Sequence, residues 1–416
     1  MAKFYSGFLL FFLCFTSSSP PAAEAFPPPA NAFVAAIYRD PATSLYTIPA
    51  AAGNRSLVLD LAGPLLWSPC PRRHRTIPCN SYTCDEARAF PPRHCYNRPS
   101  PSLPPPPCAC TATVGNPVTG ACAADELTLT DVILSSTDGH HPTAVFDVND
   151  IVSSCAPASL LSGLPAGAAG VAGLARSSVS LPSQLAGKFY FKSKQFALCL
   201  PSGNSRDPGV AFFGDGPFYL LPPPGIDVTA RLTYTPLLKD PNSPAYYIHV
   251  DGFAVNQKAV QIPPGKLAGG VKFSTTAAYT TLRSDVFKPL LDSFAGATSG
   301  IPRMPAAAPF ELCLNSSALG STRVGYGVAP IDVMVGGGKN WTIFGANSLV
   351  DVDGSRACFA FVDGGAKAEA AVVIGSFQME NNLMLFDAGR SRLGFTSTLF
   401  GIMTTCSNFN FTMGIM

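Results

Sequence analysis

The sequence predicts a mostly β protein of two lobes. Its 416 residues are more than one hydrophobic core usually organises. Forty prolines and 37 glycines set against only 13% charged residues favour short strands and frequent turns over long amphipathic helices. The order of elements in the first half also returns loosely in the second.

The chain opens with Met1-Ala2-Lys3, an apolar run from Phe8 to Phe15, and small residues ending Ala23-Glu24-Ala25. That order of charge, apolar run and cleavage site marks residues 1–25 as a secretory signal peptide, with Phe26 as the mature start. Ser56-Leu57-Val58-Leu59-Asp60 reads as a short strand that ends on a carboxylate, followed by the small turn Leu61-Ala62-Gly63 and by Leu65-Leu66-Trp67-Ser68. Between Cys70 and Cys122 lie seven cysteines and the run Pro104 to Pro107, with little periodicity. Such a Cys-rich insert lacks a core of its own and depends on cross-links for order. From Ala168 to Leu174, glycines alternate with apolar residues, which suggests backbone packed on backbone. Ser180-Leu181-Pro182-Ser183-Gln184-Leu185 reads as a short helix capped by Ser180, with Pro182 in its first turn.

The second half repeats the order. Tyr246 to Val250 and Val271 to Thr276 read as strands, the latter ending in small hydroxyl residues; a helix starts at Ser284, with Asp285 a first-turn charge favoured by the helix dipole. Ala371-Val372-Val373-Ile374-Gly375 then leads to Asn382 through Asp387. Two lobes are expected, residues 26–236 and 237–416, joined near Pro236 to Pro244.

A formal net charge of +2 provides no field for holding nucleic acid. Beyond the leader no apolar run approaches the ~18 residues of a membrane span. A secreted, extracellular monomer is expected. Of 13 cysteines, Cys14 falls in the leader and the other 12 make an even set, which reads as six disulfides in an oxidising compartment. Cys108-Ala109-Cys110 lacks zinc-knuckle spacing, and His140-His141 beside Asp138 reads as a solvated turn, so neither metal nor cofactor is expected. Five histidines, none near a Gly-x-Ser-x-Gly elbow, give a Ser or Cys triad little support. Asn54, Asn315, Asn340 and Asn410 head glycosylation sequons.

Leu59-Asp60-Leu61-Ala62-Gly63 with Trp67, the segment Gly170 to Leu174, and Val373-Ile374-Gly375 through Phe386-Asp387 to Leu393-Gly394-Phe395 resemble the pepsin-like aspartic proteases of family A1. The resemblance implies a bilobal pepsin-like fold in which each lobe supplies one Asp-Thr/Ser-Gly turn. The chemistry requires two carboxylates, one acting as base and the other held protonated as acid. Asp60 fills the first position. The second falls on Ser274, and no Asp or Glu lies between Asp251 and Asp285. A hydroxyl there can hydrogen-bond Asp60 but cannot replace the missing acid. In Thr111-Ala112-Thr113-Val114-Gly115, Val114 occupies the place of the flap tyrosine.

Within that family the chain is similar to a secreted plant branch: TAXI-type xylanase inhibitors, xyloglucan-specific endoglucanase inhibitors and basic seven-S globulins. The carrying phrases are Leu59 through Ser68, Lys272-Phe273-Ser274-Thr275, and Thr404 through Phe411. The resemblance implies a proteolytically inactive defence protein whose partner is a microbial xylanase or endoglucanase, and it implies the disulfides Cys313 with Cys358 and Cys199 with Cys406. In inhibitors of this kind a His or Arg lies shortly before the last cysteine. Here Leu399, Phe400, Ile402 and Met403 form an uncharged candidate inhibitory loop, with Arg390 and Arg392 the nearest charges. An aspartic endopeptidase with an atypical site and a storage or peptide-binding globulin are the alternatives.

Overall fold

The computed structural model describes residues 1, 31–51, 55–92, 95, 108–203 and 205–413. The expected leader after Met1, Asn54 and Pro104 to Pro107 lie outside them. Strand accounts for 42% and helix for 15%, the mostly β architecture that the Pro- and Gly-rich composition predicts.

Both halves are built on the same device. Arg55–Asp60 is apolar and buried from Leu57 to Asp60, as a strand covered on both faces must be. It pairs antiparallel with Tyr46–Ala51 and parallel with Ala168–Gly173, with Asp60 opposite Gly173. Gly173 is required at that crossing, since a Cβ would lie 2.5 Å from the Leu65 carbonyl oxygen and 2.6 Å from that of Gly63. In the second half Val271–Phe273 pairs antiparallel with Ser243–Ile248 and parallel with Val372–Ile374, with Phe273 opposite Ile374. Gly375 follows, its absent Cβ only 2.3 Å from the Tyr279 carbonyl carbon. The internal repeat is therefore a repeat of backbone crossings.

Six successive antiparallel strands of an 18-stranded sheet join the halves, in the order Ala32–Arg39, Gly209–Gly214, Gln195–Cys199, Leu383–Asp387, Arg392–Phe395 and Thr233–Asp240. Its middle pair runs from Cys199 opposite Leu383 to Gln195 opposite Asp387. Thr233–Asp240 passes through the expected boundary at 236/237, pairing Thr233 with Phe395 and Leu238 with Tyr247. One apolar core runs through both halves, and across the middle pair Phe196 stacks on Phe386 with ring centroids 5.1 Å apart. Burying rings of that size contributes roughly 1.5–3 kcal/mol each.

Two helices pack on this frame. Leu181–Lys188 has Pro182 in its first turn, but the Ser180 hydroxyl donates to the Ser177 carbonyl at 2.9 Å and does not cap the helix. Ser284–Ala297 buries Val286, Phe287, Leu290 and Phe294 on one face. Six disulfides form: Cys70–Cys155, Cys79–Cys108, Cys84–Cys110, Cys95–Cys122, Cys199–Cys406 and Cys313–Cys358. The last two are the pairs that the family resemblance implies.

Candidate functional site

The two crossings bring two turns together. Asp60 ends its strand and its Oδ1 accepts the Ala62 N–H at 2.8 Å, while the Asp60 carbonyl accepts from Leu174 at 2.9 Å. The side chain is buried, and burial raises its carboxyl pKa above the ordinary range, against the opposing pull of the Ala62 N–H, Lys272 and the Gly63 N–H. Ser274 stands at the corresponding point of the second turn. Its Oγ accepts from the Thr276 N–H at 3.2 Å and the Ala277 N–H at 3.1 Å, and lies 3.1 Å from the Thr276 hydroxyl. The serine oxygen thus does for the second turn what the carboxylate does for the first. Among the described residues no hydrogen bond joins Ser274 to Asp60; the Ser274 contacts lie within its own turn.

Thr275, which sequence reasoning missed, links the turns. Its Oγ1 donates to the Leu59 carbonyl at 2.6 Å and accepts the Leu61 N–H at 3.2 Å. The contact is one-sided, since Leu61, the matching residue of the first turn, has no hydroxyl to return it. The only sequence signal was the hydroxyl run Ser274-Thr275-Thr276. Asp285 plays no part in the pair: it sits in the first turn of its helix, bonded to Arg283 at 2.8 Å and paired with Lys266 at 3.2 Å. The Arg283 hydrogen bond holds its carboxyl below the ordinary range.

Val114 lies in the hairpin of Thr111–Gly115 with Cys122–Thr137, opposite Ala123, and packs in a small core with Trp67 and Leu127. The four residues of the candidate loop differ in exposure. Leu399 is fully buried, Phe400 and Ile402 are half-buried, and Met403 stands 68% exposed at positive φ. The Leu399 N–H donates to the Asn381 carbonyl at 2.8 Å and Cys406 is tied to Cys199, which draws the segment onto the fold. Arg390 and Arg392 are both engaged by the buried Asp387, at 3.3 and 3.0 Å.

Of the described sequon asparagines, Asn340 is exposed on a strand, while Asn315 and Asn410 are half-buried and accept local N–H groups from Ser317 and Thr412. Asp138 accepts the His140 and His141 N–H groups, and His140 stacks on Tyr219 at 3.8 Å. Cys70, His74 and Cys155 have ligand atoms within 4.8 Å of one another, but both sulfurs are consumed in a disulfide and offer no thiolate.

Sequence reasoning also missed Glu380, a buried carboxylate. The Tyr46 hydroxyl donates to its Oε1 at 2.7 Å and the Gly203 N–H to its Oε2 at 3.2 Å, while Arg39 Nε lies 3.7 Å from Oε1. Its one local signal was an acid set within the buried stretch Gln378 to Asn382.

Two family profiles match, Xylanase inhibitor N-terminal over residues 46–215 and Xylanase inhibitor C-terminal over residues 245–397. The chain is 47% identical over 394 residues to a protein of Oryza sativa subsp. japonica named Chitinase CLP, covering 91% of each. It is 36% identical to Gamma conglutin 1 of Prunus dulcis, over 99% of this chain and 98% of that protein. The solved structure described as that of edgp superimposes with a TM-score of 0.84 at 33% identity, covering 92% of this chain and 99% of that one. With both halves matched and the paired strand crossings in place, the chain belongs to the xylanase-inhibitor (TAXi) family of pepsin-like proteins.

Proposed function

We propose that the chain is a secreted, proteolytically inactive protein that inhibits microbial cell-wall-degrading glycoside hydrolases, endoxylanase or xyloglucan endoglucanase, in plant defence. The observation that carries it is the site's single carboxylate. Asp60 is buried with backbone N–H donors, and Ser274 at the partner position spends its hydroxyl on its own turn. Acid/base peptide hydrolysis needs a second, protonated acid at that point, and a serine hydroxyl does not supply it. Binding without hydrolysis is what such a scaffold retains, and the two family matches favour a glycoside hydrolase as the bound partner. Six disulfides favour an oxidising, extracellular destination. The test is an inhibition panel of fungal xylanases and endoglucanases, run beside an acid-pH digestion of unfolded protein. Inhibition of at least one enzyme without proteolysis is expected; proteolysis that disappears in Asp60→Ala would overturn the proposal.

The rice relative's name favours one further reading, hydrolysis of chitin by the chain itself. Glycoside hydrolysis ordinarily uses a carboxylate pair, of which the site supplies Asp60 with no second carboxylate acting on it among the described residues. Sugar release from colloidal chitin that is lost in Asp60→Asn would establish that activity.

A further inference from the structure

We propose that the turn at Tyr190 binds an acidic polysaccharide, a polyuronate whose sugar rings stack on the tyrosine while its carboxylates meet the lysines on either side. The inference is independent of the inhibitor function. Tyr190 follows the helix Leu181–Lys188, with Phe189 as its C-cap. The Phe189 N–H donates to the Leu185 carbonyl at 3.0 Å and the Phe191 N–H to the Ala186 carbonyl at 3.1 Å, which closes the helix end around a left-handed residue. That residue is Tyr190, at φ 52°. Glycine is the usual occupant of such a position, and a tyrosine there costs conformational energy that glycine would not. No internal contact offsets that cost. Tyr190 is 90% exposed, and among the described residues neither its ring nor its hydroxyl has a partner. In this it differs from Tyr82, the next most exposed tyrosine, whose hydroxyl bonds to Glu86.

The turn is braced on its inner side. Phe189 and Phe191 pack against the buried Phe33 with ring centroids 4.6 and 5.9 Å away. The Lys192 N–H donates to Asp215 Oδ2 at 2.9 Å, and the Lys194 carbonyl accepts the Ala388 and Gly389 N–H groups at 2.9 and 3.2 Å. A ring held on such a base loses little ordering entropy on binding.

The charge around the ring is mostly positive. No Asp or Glu lies between Asp150 and Asp207, and Lys188, Lys192 and Lys194 are exposed with no carboxylate partner among the described residues. Asp215 is the acid that meets this turn, and it is occupied by the Lys192 N–H and by the Gln195 amide at 3.5 Å. Arg390 reaches the Ser193 hydroxyl at 3.3 Å but is neutralised by Asp387. Lysine ammonium groups are mobile point charges, suited to carboxylates that recur along a chain. A pyranose ring has an apolar C–H face that lies flat on a phenol, and the phenol hydroxyl serves the hydroxyls of the sugar. A membrane surface fits less well, because Phe189 and Phe191 are packed against the core and leave one ring, not an apolar wedge, to enter lipid.

The experiment measures binding of the full chain to polygalacturonate, to its fully methyl-esterified form, and to vesicles of equal parts phosphatidylcholine and phosphatidylserine. It compares wild type, Tyr190→Gly, Lys188→Gln with Lys192→Gln, and a control carrying Lys258→Gln with Arg323→Gln, two exposed cations of the second half. Tyr190→Gly removes the ring while relieving the backbone, so the fold is kept, which thermal unfolding verifies. Wild type should bind polygalacturonate in a salt-dependent manner and leave the methyl ester unbound. Tyr190→Gly should bind about fivefold or more weakly, and the lysine variant likewise with a smaller salt dependence, while the control stays within about twofold. Equal binding by Tyr190→Gly, a methyl ester held as tightly as the free acid, a control as weak as the lysine variant, or no binding by wild type overturns the inference. Vesicle binding that is lost in Tyr190→Gly while polygalacturonate binding is unaltered also overturns it, and assigns the ring to a membrane surface.

Discussion

Glu380 gives the sharpest energetic prediction. It is 3% exposed, and its three partners, Tyr46, Gly203 and Arg39, all come from the first half of the chain, so the cluster fastens one half to the other. Burial pushes its carboxyl pKa from the ordinary 4.5 up to about 7, against the pull of Tyr46, Arg39 and the Gly203 N–H. The native state therefore holds the Glu380 proton more tightly than the unfolded chain does. The stability linked to that proton is fully present below pH 4.5 and is lost as pH rises through about 7. At about 1.4 kcal/mol per pH unit the loss across that window is about 3 kcal/mol.

Glu380→Gln keeps an acceptor for the Tyr46 hydroxyl and does not ionise. Urea unfolding of both proteins, disulfides intact, from about pH 4 to about pH 8.5 isolates this group, because titrations elsewhere are common to the two and cancel. The stability of wild type relative to Glu380→Gln should fall by about 3 kcal/mol from the acid to the alkaline end. A difference constant within about 0.5 kcal/mol, or one that grows with pH, refutes the reasoning. It would mean that the Arg39 and Tyr46 contacts outweigh burial and keep the group charged throughout.

Three further substitutions probe the frame. Thr275→Val removes both bonds between the turns and leaves the Leu59 carbonyl and Leu61 N–H unpaired in the interior; denaturant melts should show a loss of about 1–3 kcal/mol, and no loss would mean water replaces the hydroxyl. Gly173→Ala drives a Cβ into the Leu65 and Gly63 carbonyls, so a loss of about 3 kcal/mol or more, or failure to fold, is expected in thermal unfolding. Replacing Cys199 and Cys406 by serine opens a closure of 207 residues and should cost about 5 kcal/mol, against about 4 kcal/mol for Cys313 with Cys358, separated by 45; equal or reversed costs in urea melts would show that local strain outweighs chain entropy.

Features encoded by neighbouring residues were legible in the sequence. The strand ending on Asp60, the glycine crossings at Gly173 and Gly375, the helices after Ser180 and Arg283 and the disulfide count all rest on short patterns. The role of Ser274 was legible only in part. Its position followed from the motif, but expecting its hydroxyl to reach Asp60 overlooked how strongly a serine at a turn is drawn to the N–H groups two and three residues on. The Glu380 cluster was beyond local inspection, because its partners Tyr46 and Gly203 lie 334 and 177 residues away. The apolar stretch Leu399 to Met403 gave no local sign of which side chain would turn inward; the contact with Asn381 and the Cys406 anchor decide that.

The asymmetry of the two turns has a physical logic of its own. Two buried carboxylates in contact repel unless they share a proton, and the scaffold must hold them against that repulsion. Ser274 brings no such repulsion to Asp60, and its oxygen still caps the second turn. The remaining cost is one buried acid, and its raised pKa shows that burial outweighs the backbone donors and Lys272. Leu61 is fully buried and contributes apolar packing, and among the described residues the hydroxyl link between the two turns is that of Thr275. Ser274 caps its turn without a carboxylate and Thr275 joins the two turns, so both strand crossings are held by hydrogen bonds that need no acid at the second position.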